Sequence, residues 1–197
     1  MTLSVENLDM DFSFQTDQYL VIKRLHTLID RLYIYNNLGH LLLYCRQRQV
    51  HIKDHIHVYT DETQTREIMN IRQKYMNTSS NVFDVLDTKD MKGIGELRWK
   101  NNGILNFDDW EIYDNHDNSL GILSEISHTQ ALLRQFIPGY HPIKNYVLTI
   151  ANHFSATYKQ TFNPFCYELG VNFQSERSPN FDRRLGIAIA IVLAFQS

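Results

Sequence analysis

Runs of β-branched and aromatic residues alternate with polar turns through most of the chain, which predicts strands rather than helices. Four consecutive pairs of such runs are typical of two-stranded hairpins. At the centre of each pair, Asn, Asp and Gly supply the local hydrogen bonds or the positive φ that a chain reversal needs. The pairs read LYIYNNLGHLLLYCRQR, IHVYTDETQTREIMNIRQK, FDVLDTKDMKGIGELRWK and WEIYDNHDNSLGILSEIS. The pattern therefore predicts a β-meander.

Further elements flank the four hairpins. Tyr19–Leu28 is predicted as an opening strand and Val50–Val58 as another extended segment. The apolar residues of HTQALLRQFIPG are spaced as in a helix and end at Pro138-Gly139, so a short helix is predicted there. Strands then resume in YVLTIA, HFSATYKQTF and YELGVNF.

The hairpins also repeat in sequence, with a step of 26 residues. The same step relates four aliphatic positions: Leu42, Ile68, Ile94 and Leu120. It also relates three basic triplets: Arg46-Gln47-Arg48, Arg72-Gln73-Lys74 and Arg98-Trp99-Lys100. Such a period can indicate a solenoid, but hairpin units without a fixed core consensus favour a closed barrel.

The tail FDRRLGIAIAIVLAFQS poses a choice between a membrane anchor and a core helix. At 1.5 Å per residue, Leu185–Phe195 spans roughly 16 Å, about half of the ~30 Å hydrocarbon layer of a bilayer. A short helix that is apolar on every side is usually buried in protein. We therefore predict a central core helix, capped by Ser178 or Asn180, with Asp182 at the positive end of its dipole.

The composition predicts the number of domains and the cellular compartment. The 197 residues, 43% of them hydrophobic, suffice for one domain with a substantial core, and the net charge of -3 gives no general attraction to nucleic acid or anionic membrane. Only Cys45 and Cys166 carry thiols, and the start MTLSVENLDMDF lacks the apolar region of a secretory signal. These features predict a soluble protein of the cytoplasm, a reducing compartment in which structural disulfides are rare.

Three segments resemble one family. YLVIKRL, WEIYDNHDNSLGILSEIS and above all FDRRLGIAIAIVLA are similar to the LURP-one-related proteins, which share a superfamily with phospholipid scramblases and the tubby C-terminal domain. The resemblance implies a single tubby-like domain over residues 1–197: a closed antiparallel barrel of about twelve strands around a buried hydrophobic helix at 180–196. Residues 1–17 would then be an N-terminal extension, and Asp182, Arg183 and Arg184 the structural entry to the helix.

The superfamily offers several functional precedents. Tubby domains bind phosphoinositide headgroups through basic surface residues, and scramblases are associated with lipid movement and calcium. The chain has no tubby lipid-contact motif that aligns convincingly. It also lacks a D-x-[DN]-x-[DN]-G calcium loop, since DNHDNS at 114–119 has no glutamate at the required spacing.

The basic triplets are the sharpest candidate for an anion site. Residues i and i+2 of a strand face the same side, so the triplets place three basic pairs on one face, across roughly 20 Å of barrel wall. Their members are Arg46, Arg48, Arg72, Lys74, Arg98 and Lys100, which we call the basic ladder. The inward neighbours would be Cys45, Ile71 and Leu97. The alternative is a solvated sheet face whose cations are neutralised by neighbouring Asp or Glu.

Metal binding and catalysis have weaker support. In VHIKDHIHV, His51, His55 and His57 fall on one strand face and are weak candidates for a transition-metal site, but no convincing fourth ligand accompanies them. Neither cysteine belongs to a Cys/His signature, and Asp108-Asp109 is more typical of a turn before a strand than of an acid/base dyad. We therefore predict no metal, no cofactor and no catalytic residue.

Two functional hypotheses follow from the sequence. In the first, the barrel is a non-enzymatic module peripheral to the membrane that binds anionic phospholipid or phosphoinositide headgroups through the basic ladder. In the second, it is a structural or protein-interaction barrel without a lipid ligand. An enzyme is a weaker third possibility, because a central helix would fill the lumen, and nucleic acid is not an expected partner.

Overall fold

Twelve antiparallel strands form one closed barrel in the computed structural model, which describes residues 12–24, 31–50, 53–76, 80–101, 108–126, 143–179 and 181–197. The strands are β1 (Gln18–Arg24), β2 (Arg31–Asn36), β3 (Leu41–Val50), β4 (Lys53–Tyr59), β5 (Glu67–Met76), β6 (Ser80–Asp87), β7 (Gly93–Asn101), β8 (Asp108–Asp114), β9 (Ser119–Glu125), β10 (Asn145–Ile150), β11 (His153–Thr161) and β12 (Cys166–Asn172). The helix α1 comprises Arg183–Phe195.

Each strand pairs with its neighbours in sequence, and β1 pairs with β12 to close the barrel. The register of this closure runs from Gln18 opposite Asn172 to Arg24 opposite Cys166. Closure leaves no strand edge to template pairing with another chain. The predicted class is confirmed: the protein is mainly β, with twelve strands and one C-terminal helix packed against them.

The four predicted hairpin turns share one hydrogen-bonding device. An Asn or Asp at the start of each turn accepts, through its side-chain Oδ1, a bond from the backbone N–H two residues later, at 2.8 to 3.0 Å. These residues are Asn36, Asp61, Asp87 and Asp114. Positive φ angles complete the reversals, for example 80° at Gly39 and 65° at Asp117. The turn chemistry predicted from sequence is confirmed in its physical detail.

The 26-residue repeat corresponds to a β-bulge in each of these hairpins. The pairing register shifts by one residue just after the turn, so one residue on the second strand has no partner. The four extra residues are Leu42, Ile68, Ile94 and Leu120, and all four are partly buried against the core. Because a bulge bends its strand and increases the local twist, a bulge in every hairpin supplies the curvature that closure requires.

The helix α1 runs through the interior of the barrel. It contacts β1 and β12 on one wall and β7 on the other, and β1 and β7 lie six strands apart around the barrel in either direction. All ten residues from Leu185 to Ala194 are buried. A helix surrounded by wall on all sides needs an apolar residue at every position, which explains why IAIAIVLA shows no polar stripe.

The N-terminal end of α1 is tied to one rim of the barrel. Asp182 is the N-cap, and its carboxylate accepts a bond from the Arg184 backbone N–H at 2.9 Å. This corrects the predicted cap at Ser178 or Asn180, because Asp182 is the residue with extended backbone just before the first helical turn. Arg183 pairs with Asp17 at 2.8 Å, and Arg184 pairs with Asp87 at 2.5 Å. The contacts of all three helix-entry residues are structural.

The C-terminal end of α1 meets a buried lysine of the wall. Lys23 lies on the inward face of β1 and is 5% exposed. Its Nζ donates to the carbonyl oxygens of Phe195 and Ser197, at 3.5 and 3.2 Å. A cation at this position satisfies carbonyls that the helix leaves without partners and suits the negative end of the helix dipole.

Other predicted elements differ from the structure or lie outside its described part. The segment Val50–Val58 is not a separate strand, because Val50 ends β3 and Lys53–Tyr59 is the first arm of the second hairpin. The predicted helix in HTQALLRQFIPG lies outside the described residues. Of the predicted extension 1–17, residues 12–17 are described; Ser13 and Phe14 are buried against the barrel, whereas Phe12 is exposed. Across the described ranges, no helix is both long enough and apolar enough to cross a bilayer.

Candidate functional site

The basic ladder lies on the outer surface of three strands, as predicted. Arg46 is on β3, Arg72 and Lys74 are on β5, and Arg98 and Lys100 are on β7. Behind them, Cys45, Ile71 and Leu97 are fully buried in the barrel interior. Arg48 lies on β3 opposite His55 in the register, but its side chain is outside the described part. The structure therefore confirms the inward positions, while the role of the ladder in binding stays a prediction.

Half of the ladder is neutralised by carboxylates of β6, β7 and β8 and of the turn between β8 and β9. Lys74 Nζ lies 2.7 Å from Asp84 and 2.5 Å from Glu96. Arg98 pairs with Glu96 at 2.8 Å and also with Asp117, while its guanidinium lies 3.8 Å from the centroid of the Tyr113 ring. Lys100 pairs with Glu111 at 2.5 Å. On β5 to β8, the alternative interpretation of a solvated, self-compensated sheet face describes these three cations well.

These ion pairs border an open groove of about 590 Å³ at the β6–β8 side of the barrel. Its charged lining is Lys74, Arg98, Asp84, Glu96, Asp114 and Asp117. Four carboxylates against two cations make the groove acidic. An anionic headgroup would meet net repulsion there, so this groove is a poor phosphate site.

The carboxylates of the groove respond to their surroundings in opposite directions. Burial disfavours ionisation of Glu96, but hydrogen bonds from Lys74 and Arg98 outweigh burial and lower the Glu96 pKa below its ordinary value of 4.5. Burial raises the pKa of Asp84 above 3.8 despite its ion pair with Lys74. The folded protein therefore favours the ionised form of Glu96 and disfavours the ionised form of Asp84.

This difference predicts opposite effects on acid stability. A lowered folded-state pKa contributes stability that is present above pH 4.5 and lost as the pH falls through the folded value, so Glu96→Gln should flatten the decline of unfolding free energy below pH 4.5. Asp84→Asn should steepen it, because protonation of Asp84 favours the folded state. Urea unfolding at several pH values between about 3 and 6 measures both slopes. Equal slopes in wild type and both variants would contradict the assignment.

The other half of the ladder lies in a different electrostatic environment. In the register, Arg31 on β2 is directly opposite Arg46 on β3. On the other side, Lys23 of β1 is opposite Leu32 of β2, so the next position in the same register aligns Arg24 with Arg31. The three arginines thus form a row across neighbouring strands, about 4.8 Å apart per step. Arg72 lies one row further along, opposite His55 on β4 and Asp84 on β6. We call Arg24, Arg31, Arg46 and Arg72 the basic face.

The basic face has few compensating anions. No carboxylate of the described chain forms an ion pair with any of its four arginines. The contacts that they do make are with neutral groups: Arg46 with Gln64 at 3.5 Å, Arg72 with Asn70 at 2.7 Å, and Arg24 with the Tyr33 ring at 5.9 Å. Like charges directly opposite on adjacent strands are destabilising, so the Arg31–Arg46 pair carries an electrostatic cost in the folded protein.

An aromatic row borders the basic face. Rings on the outer surface of β2 to β4 follow one another at centroid distances of 5.4 to 6.4 Å: Tyr35, Tyr33, Tyr44, Tyr59 and His57. Two carboxylates near this row are already engaged, since Glu62 accepts from Tyr33 at 3.5 Å and Glu67 lies 2.8 Å from His57. These rings pack against one another on the wall beside the arginines.

The histidine candidates do not assemble a metal centre in the described part of the chain. His55 and His57 lie on the outer face of β4, with Ile56 and Val58 buried behind them, as predicted. His57 Nδ1 contacts Glu67, and the Asn70 amide donates to the same carboxylate at 3.0 Å. His51 lies outside the described residues, and within them no three His, Cys, Asp or Glu side chains form a group that could hold a metal ion.

The surroundings of the two thiols disfavour their ionisation. Burial raises the pKa of the fully buried Cys45 thiol. Burial and a hydrogen bond to Glu168 also raise the pKa of Cys166. Both shifts disfavour the thiolate, which is the nucleophilic form. Asp108 and Asp109 are the first residues of β8, so they belong to the strand and not to a turn before it.

Sequence reasoning missed two residues of the basic face. Arg24 and Arg31 lie outside the 26-residue repeat, so the search for repeated triplets passed over them. The available signal was the first hairpin itself: a short turn centred on Asn37-Leu38 brings the start of LYIYN close to the CRQR end of the second arm. Only the bulge at Leu42 determines that Arg31 is opposite Arg46.

Comparison of the chain with protein family models, with curated proteins and with solved structures finds no match in any of the three. The geometry of the barrel and its surface therefore carries the functional argument alone.

Proposed function

We propose that this protein is a non-enzymatic, tubby-like barrel of the LURP-one-related kind that binds anionic phospholipid or phosphoinositide headgroups through its basic face, as a cytoplasmic module peripheral to the membrane. The observation that carries the proposal is the row of Arg24, Arg31 and Arg46, which has no carboxylate ion pair among the described residues. Arginine is well suited to this role because its planar guanidinium binds phosphate oxygens in pairs.

The contrast between the two halves of the ladder supports this location. The carboxylates on β6 to β8 compensate Lys74, Arg98 and Lys100, whereas Arg31 on β2 and Arg46 on β3 repel one another at strand spacing. A phosphate between Arg31 and Arg46 would relieve that repulsion. Because the chain as a whole carries a formal charge of -3, attraction to an anionic surface must come from such a local patch.

Liposome co-flotation with an Arg31→Glu/Arg46→Glu variant tests the proposal. Wild type should float with vesicles containing phosphatidylserine or phosphoinositides, more weakly as salt rises, and should not float with neutral vesicles. Each basic residue near an anionic surface contributes about 1 kcal/mol, so reversing two should weaken binding by roughly a hundredfold or more. The ladder variant Arg72→Glu/Lys74→Glu is less informative, since Lys74 holds a structural ion-pair network.

The matched control is Lys89→Glu/Lys92→Glu. It changes the net charge equally but lies in the β6–β7 turn, at the opposite rim of the barrel. Equal loss in both variants would mean that net charge alone controls binding, and the basic face would then not be a site. Failure of the folded wild type to bind any anionic vesicle would overturn the lipid proposal and leave the structural or protein-interaction barrel.

A further inference from the structure

Two phenylalanines lie exposed at the tip between β11 and β12. Phe162 is 74% exposed and Phe165 is 81% exposed, and only Asn163 and Pro164 separate them. The other exposed phenylalanines lie elsewhere among the described residues: Phe12 precedes β1, and Phe154 follows the β10–β11 turn at the opposite rim. Two large apolar side chains on one short tip are unusual on a surface that faces only water.

The tip has a definite structure. The Asn163 side chain accepts a bond from the Phe165 backbone N–H at 3.0 Å and donates to Glu168 at 2.7 Å. Pro164 restricts the backbone between them. These contacts hold the tip in a turn that leaves both rings outside the core, so folding does not bury them.

The tip lies at the same rim as the basic face. Cys166, one residue beyond Phe165, is directly opposite Arg24 in the β1–β12 register. On the other flank, the Lys144 backbone N–H donates to the Gln160 side-chain oxygen at 2.8 Å, and the Gln160 backbone N–H donates to the Lys144 carbonyl oxygen at 3.2 Å. Lys159 is exposed on the same strand, β11. The carboxylate of this neighbourhood, Glu168, is engaged by Asn163 and Cys166. Exposed aromatic rings with cations on both flanks match the layers of an anionic bilayer, apolar beneath and negatively charged above.

We propose that the β11–β12 tip inserts Phe162 and Phe165 into the interfacial layer of an anionic lipid bilayer while the neighbouring cations contact its headgroups. This inference rests on the proposed headgroup binding and assigns the orientation of the barrel on the membrane: the C-terminal end of α1 faces the lipid and the Asn/Asp turns face away. The protein then binds the membrane through two interactions, one electrostatic and one apolar, and stable anchoring of peripheral proteins generally needs two.

Depth-dependent quenching tests this orientation directly. Phe162→Trp and Phe165→Trp variants are mixed with phosphatidylserine vesicles that contain brominated acyl chains, and the wild-type signal from its native tryptophans is subtracted. The inserted indoles should be quenched and shifted to the blue. The control is Phe154→Trp, a half-exposed position at the opposite rim, which should show neither change.

A second variant separates the apolar contribution from the electrostatic one. Phe162→Ser/Phe165→Ser should weaken binding by about tenfold to a hundredfold, with most of that loss persisting at salt concentrations that screen charge. Binding that depends on Arg31 and Arg46 without quenching at the tip would overturn this inference but leave the proposed function intact. Absence of binding to all vesicles would overturn both. A wild-type dimer in light scattering that the serine variant converts to monomer would instead assign the tip to self-association.

Discussion

A chain that ends at residue 180 should not fold cooperatively. Removal of α1 deletes ten buried residues and leaves the inward side chains of β1, β7 and β12 without their packing partner. Truncating one large buried side chain costs about 2–5 kcal/mol, and the total stability of a domain is only about 5–15 kcal/mol. The loss exceeds the available stability. Urea unfolding followed by near-ultraviolet circular dichroism should show no cooperative transition.

Single substitutions at the centre of the helix provide the control. Ile189 is fully buried, so Ile189→Asp should be nearly as disruptive as the truncation, whereas Ile189→Val should cost only about 0.5–1.5 kcal/mol. These variants keep the chain length, which removes the objection that a truncated chain is merely degraded. A cooperative transition in the truncated protein would show that the barrel does not need the helix as its core.

The second large effect is expected at Gly186. A Cβ at this position would lie 2.6 Å from the Phe173 ring and 3.2 Å from the Tyr158 hydroxyl, which itself donates to the Gly186 carbonyl at 2.9 Å. Carbon atoms pack at about 3.5–4.0 Å, and Phe173 is fully buried, so the ring has no free space into which to move. Gly186→Val should therefore lower the free energy of unfolding by about 3 kcal/mol or more in urea titration.

A double-mutant cycle makes this prediction specific. Phe173→Ala alone should destabilise by about 3–5 kcal/mol through the cavity it creates, but combined with Gly186→Val the two losses should partly cancel. Gly170→Val is the matched control, because a Cβ there would meet only the Lys159 carbonyl oxygen at an ordinary 3.7 Å. Additive losses in the cycle would mean that the Gly186 substitution acts by some route other than contact with Phe173.

The fold could be predicted largely from sequence because its signals are local. Turn residues such as Asn36 and Asp114 bond to backbone two residues away, and the apolar length of Leu185–Phe195 is independent of its surroundings. The 26-residue repeat was also visible, although its meaning was not. Each repeated residue is a bulge because it has no partner on the neighbouring strand. The sequence of one strand does not specify which residues of the neighbouring strand pair with it.

The candidate site was predicted only in part for the same reason. Arg46 and Arg98 hold equivalent positions in the 26-residue repeat, yet Arg98 pairs with Glu96 and Asp117 while Arg46 is opposite Arg31. By itself, the sequence determined the strands, the turns, the buried helix and the outward direction of the basic residues. Apart from Glu96, which lies two residues before Arg98 on the same strand, the tertiary structure decided which of these cations are neutralised. The reason is that electrostatic energy depends on distances across strands, and barrel closure and register determine those distances.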